Sequence, residues 1–109
     1  MKQTSTTIQA RSRFELGDLC YTPGAQALLI EYRISPFQLL ARHVVGDFGN
    51  VCAEDAQTNE EALELGGRVM SVYVLTPPKD DNATKASAKV WVITESDRSV
   101  TTLLLPEEY

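Results

Sequence analysis

At Gly66-Gly67 the chain changes its chemistry, and this switch constrains the fold more than any other feature of the sequence. Before it, apolar residues recur at helical spacing; after it, β-branched and aromatic residues crowd into short runs. Helices grouped first and strands grouped after, without alternation, call for an α+β domain with helices covering one face of a mostly antiparallel sheet.

Upstream of the switch, Thr22-Pro23-Gly24 reads as a helix start, with Thr22 as N-cap and Pro23 at the first helical position. Ala25, Leu28, Leu29 and Tyr32 then fall on one helical face. Ser35-Pro36 opens a second helix with Phe37, Leu40, Ala41 and Val44 at the same spacing, joined to the first at Arg33-Ile34 and ended by Gly46. Residues 47–50 read as a turn. A third helix is expected over 53–65, with a thin stripe of Ala56, Asn59, Ala62 and Leu63 and otherwise acidic, amide-rich faces.

Downstream, residues 68–75, 89–94 and 100–105 read as strands, the last two as an antiparallel hairpin around residues 95–99. Residues 76–88, with Pro77-Pro78 and four consecutive polar positions from Lys79, read as a mobile loop. A short strand is expected over 13–21, interrupted near Gly17 and Asp18. The expectation is therefore a flexible tail over 1–12 and one domain over 13–109. That domain has a short N-terminal strand, three helices, and a three-stranded antiparallel meander with the helices on one face.

The 109 residues suffice for one core. No apolar stretch approaches the span of about 20 residues that a membrane requires, and the polar start lacks a signal-peptide core, which points to the cytoplasm. Cys20 and Cys52 do not make a disulfide framework and are expected as small buried hydrophobes. Ten basic residues against fifteen acidic give a net charge of −5. The basic residues are scattered, which disfavours direct nucleic-acid binding. From Asp47 to Gly66 there are six acidic residues and no basic one.

Familiar catalytic motifs are absent from the sequence: no phosphate loop, no Gly-x-Ser-x-Gly elbow, and too few Cys and His for a standard zinc site. No cofactor or metal is implied. Three constellations could carry function. His43 could be a general base oriented by Asp47, with Arg42 holding an anionic oxygen, or the cations Arg42 and His43 could simply cap the end of the second helix. Glu54, Asp55, Asn59, Glu60, Glu61 and Glu64 could present charge to a basic protein partner, or be a solvated face. Glu95 and Arg98 could pair across the last turn, and one of Thr101 and Thr102 should meet solvent or a partner.

Several segments occur together in an order that resembles a known family. They are Phe14-x-Leu16-Gly17, Thr22-Pro23-Gly24-Ala25, Leu40-Ala41-Arg42-His43, Gly46-Asp47-Phe48-Gly49, Glu54-Asp55, Asn59-Glu60-x-Ala62-Leu63, and the stretch from Ile93 to Tyr109. The set resembles a family of short bacterial proteins called plasmid-related, which travel on plasmids and integrative elements and sometimes carry a label as a type I restriction subunit. The chain departs from that pattern in Phe48, where many relatives have Trp, and in its long loop over 76–88. The resemblance implies the context of a mobile element and an accessory role. It implies no methyltransferase, because these 109 residues supply no cofactor fold for one.

Three functions fit the sequence. The first is a non-catalytic protein-binding module, defence-modulating in one version, that docks through the acidic third helix. The second is a small hydrolase or nuclease using His43 with Arg42 and Asp47, and Glu95 and Arg98 from the hairpin. The third is a homodimeric structural or regulatory protein that pairs through an exposed strand edge or the Trp91 face.

Overall fold

The structure, a computed structural model, describes residues 12–78 and 86–109. The expected tail therefore lies outside the described residues except for Ser12, as does the centre of the 76–88 loop. The chain runs β1 (Asp18–Tyr21), α1 (Pro23–Tyr32), α2 (Pro36–Val44), α3 (Ala53–Leu65), β2 (Val69–Leu75), β3 (Ala88–Thr94) and β4 (Val100–Leu104). A single 3-10 turn, Pro106–Glu108, follows β4.

The two Pro-initiated helices form as their caps dictate. The Thr22 side chain accepts from the Ala25 amide, and Ser35 and Gln38 close a reciprocal capping box. Arg33 turns the chain between them in the left-handed region, at φ 60°. Its amide is bonded to the last carbonyls of α1.

The sheet corrects the expected meander. It has four strands in the order β1-β4-β3-β2, and β1 runs parallel to β4 while the other pairs are antiparallel. After β1 the chain crosses in three helices and re-enters the sheet at the far edge as β2, and the antiparallel run β2-β3-β4 then brings the last strand back beside the first. Gly17, at φ +66°, makes that junction possible, because a side chain there would collide with the backbone carbonyl of Ser99. The strand is also shorter than expected, since residues 13–17 lie outside it.

Strand alternation places Val69, Ser71, Tyr73 and Leu75 of β2, Val90, Val92 and Thr94 of β3, and Thr101 and Leu103 of β4 on the helix-covered face. The main core joins Ala25, Leu29 and Tyr32 of α1 and Leu39 and Leu40 of α2 to these strands. A smaller cluster of Phe48, Ala62 and Val69 seats α3. Residues 47–50 are more than a turn. The Val72 amide donates to the Phe48 carbonyl at 3.0 Å and the Asn50 amide to the Val72 carbonyl at 2.6 Å, so this segment covers the outer edge of β2. Both cysteines are exposed, which corrects their expected burial. Among the described residues no helix is long and apolar enough to cross a membrane.

Candidate functional site

The most constrained polar chemistry lies between α2 and the sheet. The buried face of α2 is Leu39, Leu40, His43 and Val44, not the expected Phe37-Leu40-Ala41-Val44 stripe. Phe37 is 66% exposed, and His43 takes its place inside at 0% exposure. The imidazole Nδ1 lies 2.6 Å from the Ser71 hydroxyl and Nε2 lies 2.9 Å from that of Thr94. Thr94 and Thr101 hydroxyls are 2.6 Å apart, and Thr101 donates to the Leu16 carbonyl at 2.7 Å.

This chain has only one consistent direction. A carbonyl can only accept, so the Thr101 proton goes to Leu16 and Thr101 accepts from Thr94. With its own proton so committed, Thr94 must accept from Nε2–H of His43, and in the neutral ring that burial enforces Nδ1 then accepts from Ser71. His43 is thus the neutral Nε2–H tautomer, fixed through two threonine hydroxyls by a backbone carbonyl. Burial, reinforced by the Arg98 charge, pushes its pKa down to about 4. The ring also meets Phe14 edge-on at 5.2 Å.

The partners expected for His43 are elsewhere. Arg42 and Asp47 pair with each other through two bonds of 2.7 and 3.2 Å on the surface. The Arg42 guanidinium lies 4.5 Å above the Tyr73 ring. The Arg42 hydrogen bond holds the Asp47 carboxyl below its usual range. Asp47 therefore orients Arg42 and not, as the sequence suggests, His43. Nor does His43 act as a charged helix cap, since its ring is neutral and enclosed.

The Glu95 carboxylate and the Arg98 guanidinium do not pair with each other. Glu95 faces Arg68 at 3.5 Å, while the Arg98 guanidinium donates to the carbonyls of Gly67, Ala62 and Glu95 at 2.6, 3.1 and 3.1 Å. Arg98 ties the end of α3 and the following linker to the β3–β4 turn. Of the two threonines, Thr101 is buried in the His43 chain and Thr102 is half-buried on the opposite face.

The acidic set divides in two. Asn59 is 4% exposed, with its amide bonded both ways to the backbone of Met70 at 2.8 and 3.0 Å, so it docks α3 on β2 and is closed to a partner. Glu60 receives a two-pronged contact from Arg13 at 2.7 and 3.0 Å. Among the described residues Glu61 accepts from Gln57 at 3.3 Å. Glu54, Asp55, Glu61 and Glu64 are exposed, with no cationic partner among the described residues.

Two features escaped the sequence reading. One is the pairing of Ser71 and Thr94 with His43; its signal was the i, i+4 pair Leu39–His43 beside Leu40–Val44, which makes histidine an inward residue. The other is an apolar groove of about 490 Å³ at the outer edge of β1, lined by Leu19, Tyr21, Phe37 and Leu40 among others. Among the described residues no three His, Cys, Asp or Glu side chains come together to hold a metal. No family model, curated protein or solved structure matches the chain.

Proposed function

We propose that the protein is a non-catalytic protein-binding module that presents the acidic outer face of α3 to a basic partner. The observation that carries this reading is the division of the polar residues. His43 is enclosed at 0% exposure and bonded at both nitrogens, whereas Glu54, Asp55, Glu61 and Glu64 project from one helix with no described cation to neutralise them. A base with no route to solvent has no substrate to meet. An exposed acidic face raises the encounter rate with a basic surface and selects against acidic ones. Taken with the resemblance to plasmid-borne accessory proteins, the partner class is the basic, nucleic-acid-handling face of a host or element-encoded protein.

The test is capture of partners from nuclease-treated bacterial lysate by the wild-type chain and by a variant carrying Glu61→Lys and Glu64→Lys. Neither residue carries an ion pair among the described residues, so the substitutions leave the fold intact. One stoichiometric protein, released by moderate salt and absent with the variant, is the expected result. An identical set of partners with both chains would refute the reading.

A further inference from the structure

The outer edge of β1 leaves backbone groups without a partner among the described residues. β1 donates to β4 from alternate residues: the Asp18 amide bonds to the Ser99 carbonyl at 2.9 Å and the Thr22 amide to that of Leu103 at 3.0 Å. Leu19 and Tyr21 therefore turn their N–H and C=O groups the other way, to the free edge, where no described residue bonds them. An open edge with exposed apolar flanks is a template for another strand. Here Leu19, Tyr21, Ile30 and Phe37 are 46%, 48%, 71% and 66% exposed. The far edge of the sheet, by contrast, is covered by residues 48–50 and by Asn59.

We propose that a second copy of this chain occupies that edge, with the two β1 strands antiparallel about a two-fold axis at Cys20. In that register Leu19 of each copy exchanges both backbone hydrogen bonds with Tyr21 of the other, so the four free groups of each copy are satisfied together. The edge offers only two outward-facing residues, too few to read an unrelated peptide, but the two-fold doubles the apolar contact. The exposed parts of Leu19, Tyr21, Ile30 and Phe37 amount to about 400 Å² per copy, so the pair covers about 800 Å² of side chain before backbone and rim are added. That lies at the weak end of specific interfaces and sets a reversible dimer.

Charge favours the same arrangement. The groove beside β1 is lined by no charged residue, and the one charge on the strand is exposed Asp18 at its start, two residues from the proposed axis. The sheet order puts α3, docked on β2, three strand spacings or about 14 Å away. The two acidic helices of a dimer would therefore sit at its outer ends, where repulsion between copies of net charge −5 is smallest and both faces stay open.

Cys20 reports the register. It faces its own copy at a position without exchanged hydrogen bonds, where Cα atoms approach to about 4.5 Å, within the range of a disulfide. The test is mild oxidation of the full chain with diamide, which removes one hydrogen from each thiol, followed by non-reducing electrophoresis. Sedimentation of the reduced chain is run alongside, over about a hundredfold range of concentration. A covalent dimer lost with Cys20→Ser and kept with Cys52→Ser is expected, as is a reversible dimer weakened at least about tenfold by Leu19→Lys. Thermal unfolding of Leu19→Lys that matches wild type shows that the loss is one of pairing and not of folding. A monomer at all concentrations, a link through Cys52, or a dimer indifferent to Leu19→Lys would overturn the proposal. Because Glu61 and Glu64 lie away from this edge, their reversal leaves the dimer intact, so failure here is separable from failure of the acidic-face reading.

Discussion

His43 shows how a residue type associated with catalysis becomes part of a core. Its ring is enclosed, and each nitrogen has a hydroxyl partner, with the proton direction set by the Leu16 carbonyl. Nitrogen-15 shifts of the imidazole should report a protonated Nε2 and an unprotonated Nδ1 at neutral pH. The same burial makes stability depend on pH. Unfolded, His43 binds a proton near pH 6.5; folded, it does so only near pH 4. Between those values the unfolded state holds more protons, so stability falls as pH falls, and the loss is complete below pH 4. The shift amounts to about 3 kcal/mol. Urea unfolding between pH 7 and 4 should show that decline, and His43→Gln should flatten it. Thr94→Val leaves Nε2–H without an acceptor and should cost about 1–3 kcal/mol by the same assay.

At the scale of elements, two side chains hold α3 in place. Asn59 pairs both ways with the Met70 backbone on the outer edge of β2, and Arg98 holds the carbonyls of Ala62 and Gly67. Asn59→Leu would leave the Met70 N–H and C=O without their partner, and Arg98→Ala would remove three charge-assisted bonds. Each should lower unfolding stability by about 1.5–3 kcal/mol, with loss of amide-exchange protection concentrated in α3. The helices themselves were legible because Thr22-Pro23 and Ser35-Pro36 act through local caps. The three later strands were legible from their β-branched runs. What was not legible depended on distant pairing. Parallel addition of β1 to β4 depends on Gly17 meeting Ser99, and the rotation of α2 depends on Ser71 and Thr94 receiving a histidine. Of the candidate site residues, nothing local says that Asp47 turns to Arg42, that Asn59 turns inward or that Arg98 reaches back to α3.

The whole molecule has a closed interior and an uneven surface. No buried side-chain polar atom lacks a partner among the described residues, and His43 and Arg98 spend their hydrogen bonds holding α2 and α3 to the sheet and its last turn. The surface places the exposed acids Glu54, Asp55, Glu61 and Glu64 on α3 by the β2 edge, and the exposed apolar side chains of Leu19, Tyr21, Ile30 and Phe37 around β1 at the opposite edge, while Leu65 on α3 and Val74 on β2 are exposed as well. This separation is the basis for assigning partner recognition to one edge and self-association to the other. The direct test compares two variants for capture of the same partner: His43→Gln, and Glu61→Lys with Glu64→Lys. Under conditions where all chains are folded, His43→Gln should hold the partner as wild type does and the charge-reversed chain should release it. Retention of the partner by the charge-reversed chain would contradict the account, and so would its loss with a folded His43→Gln chain.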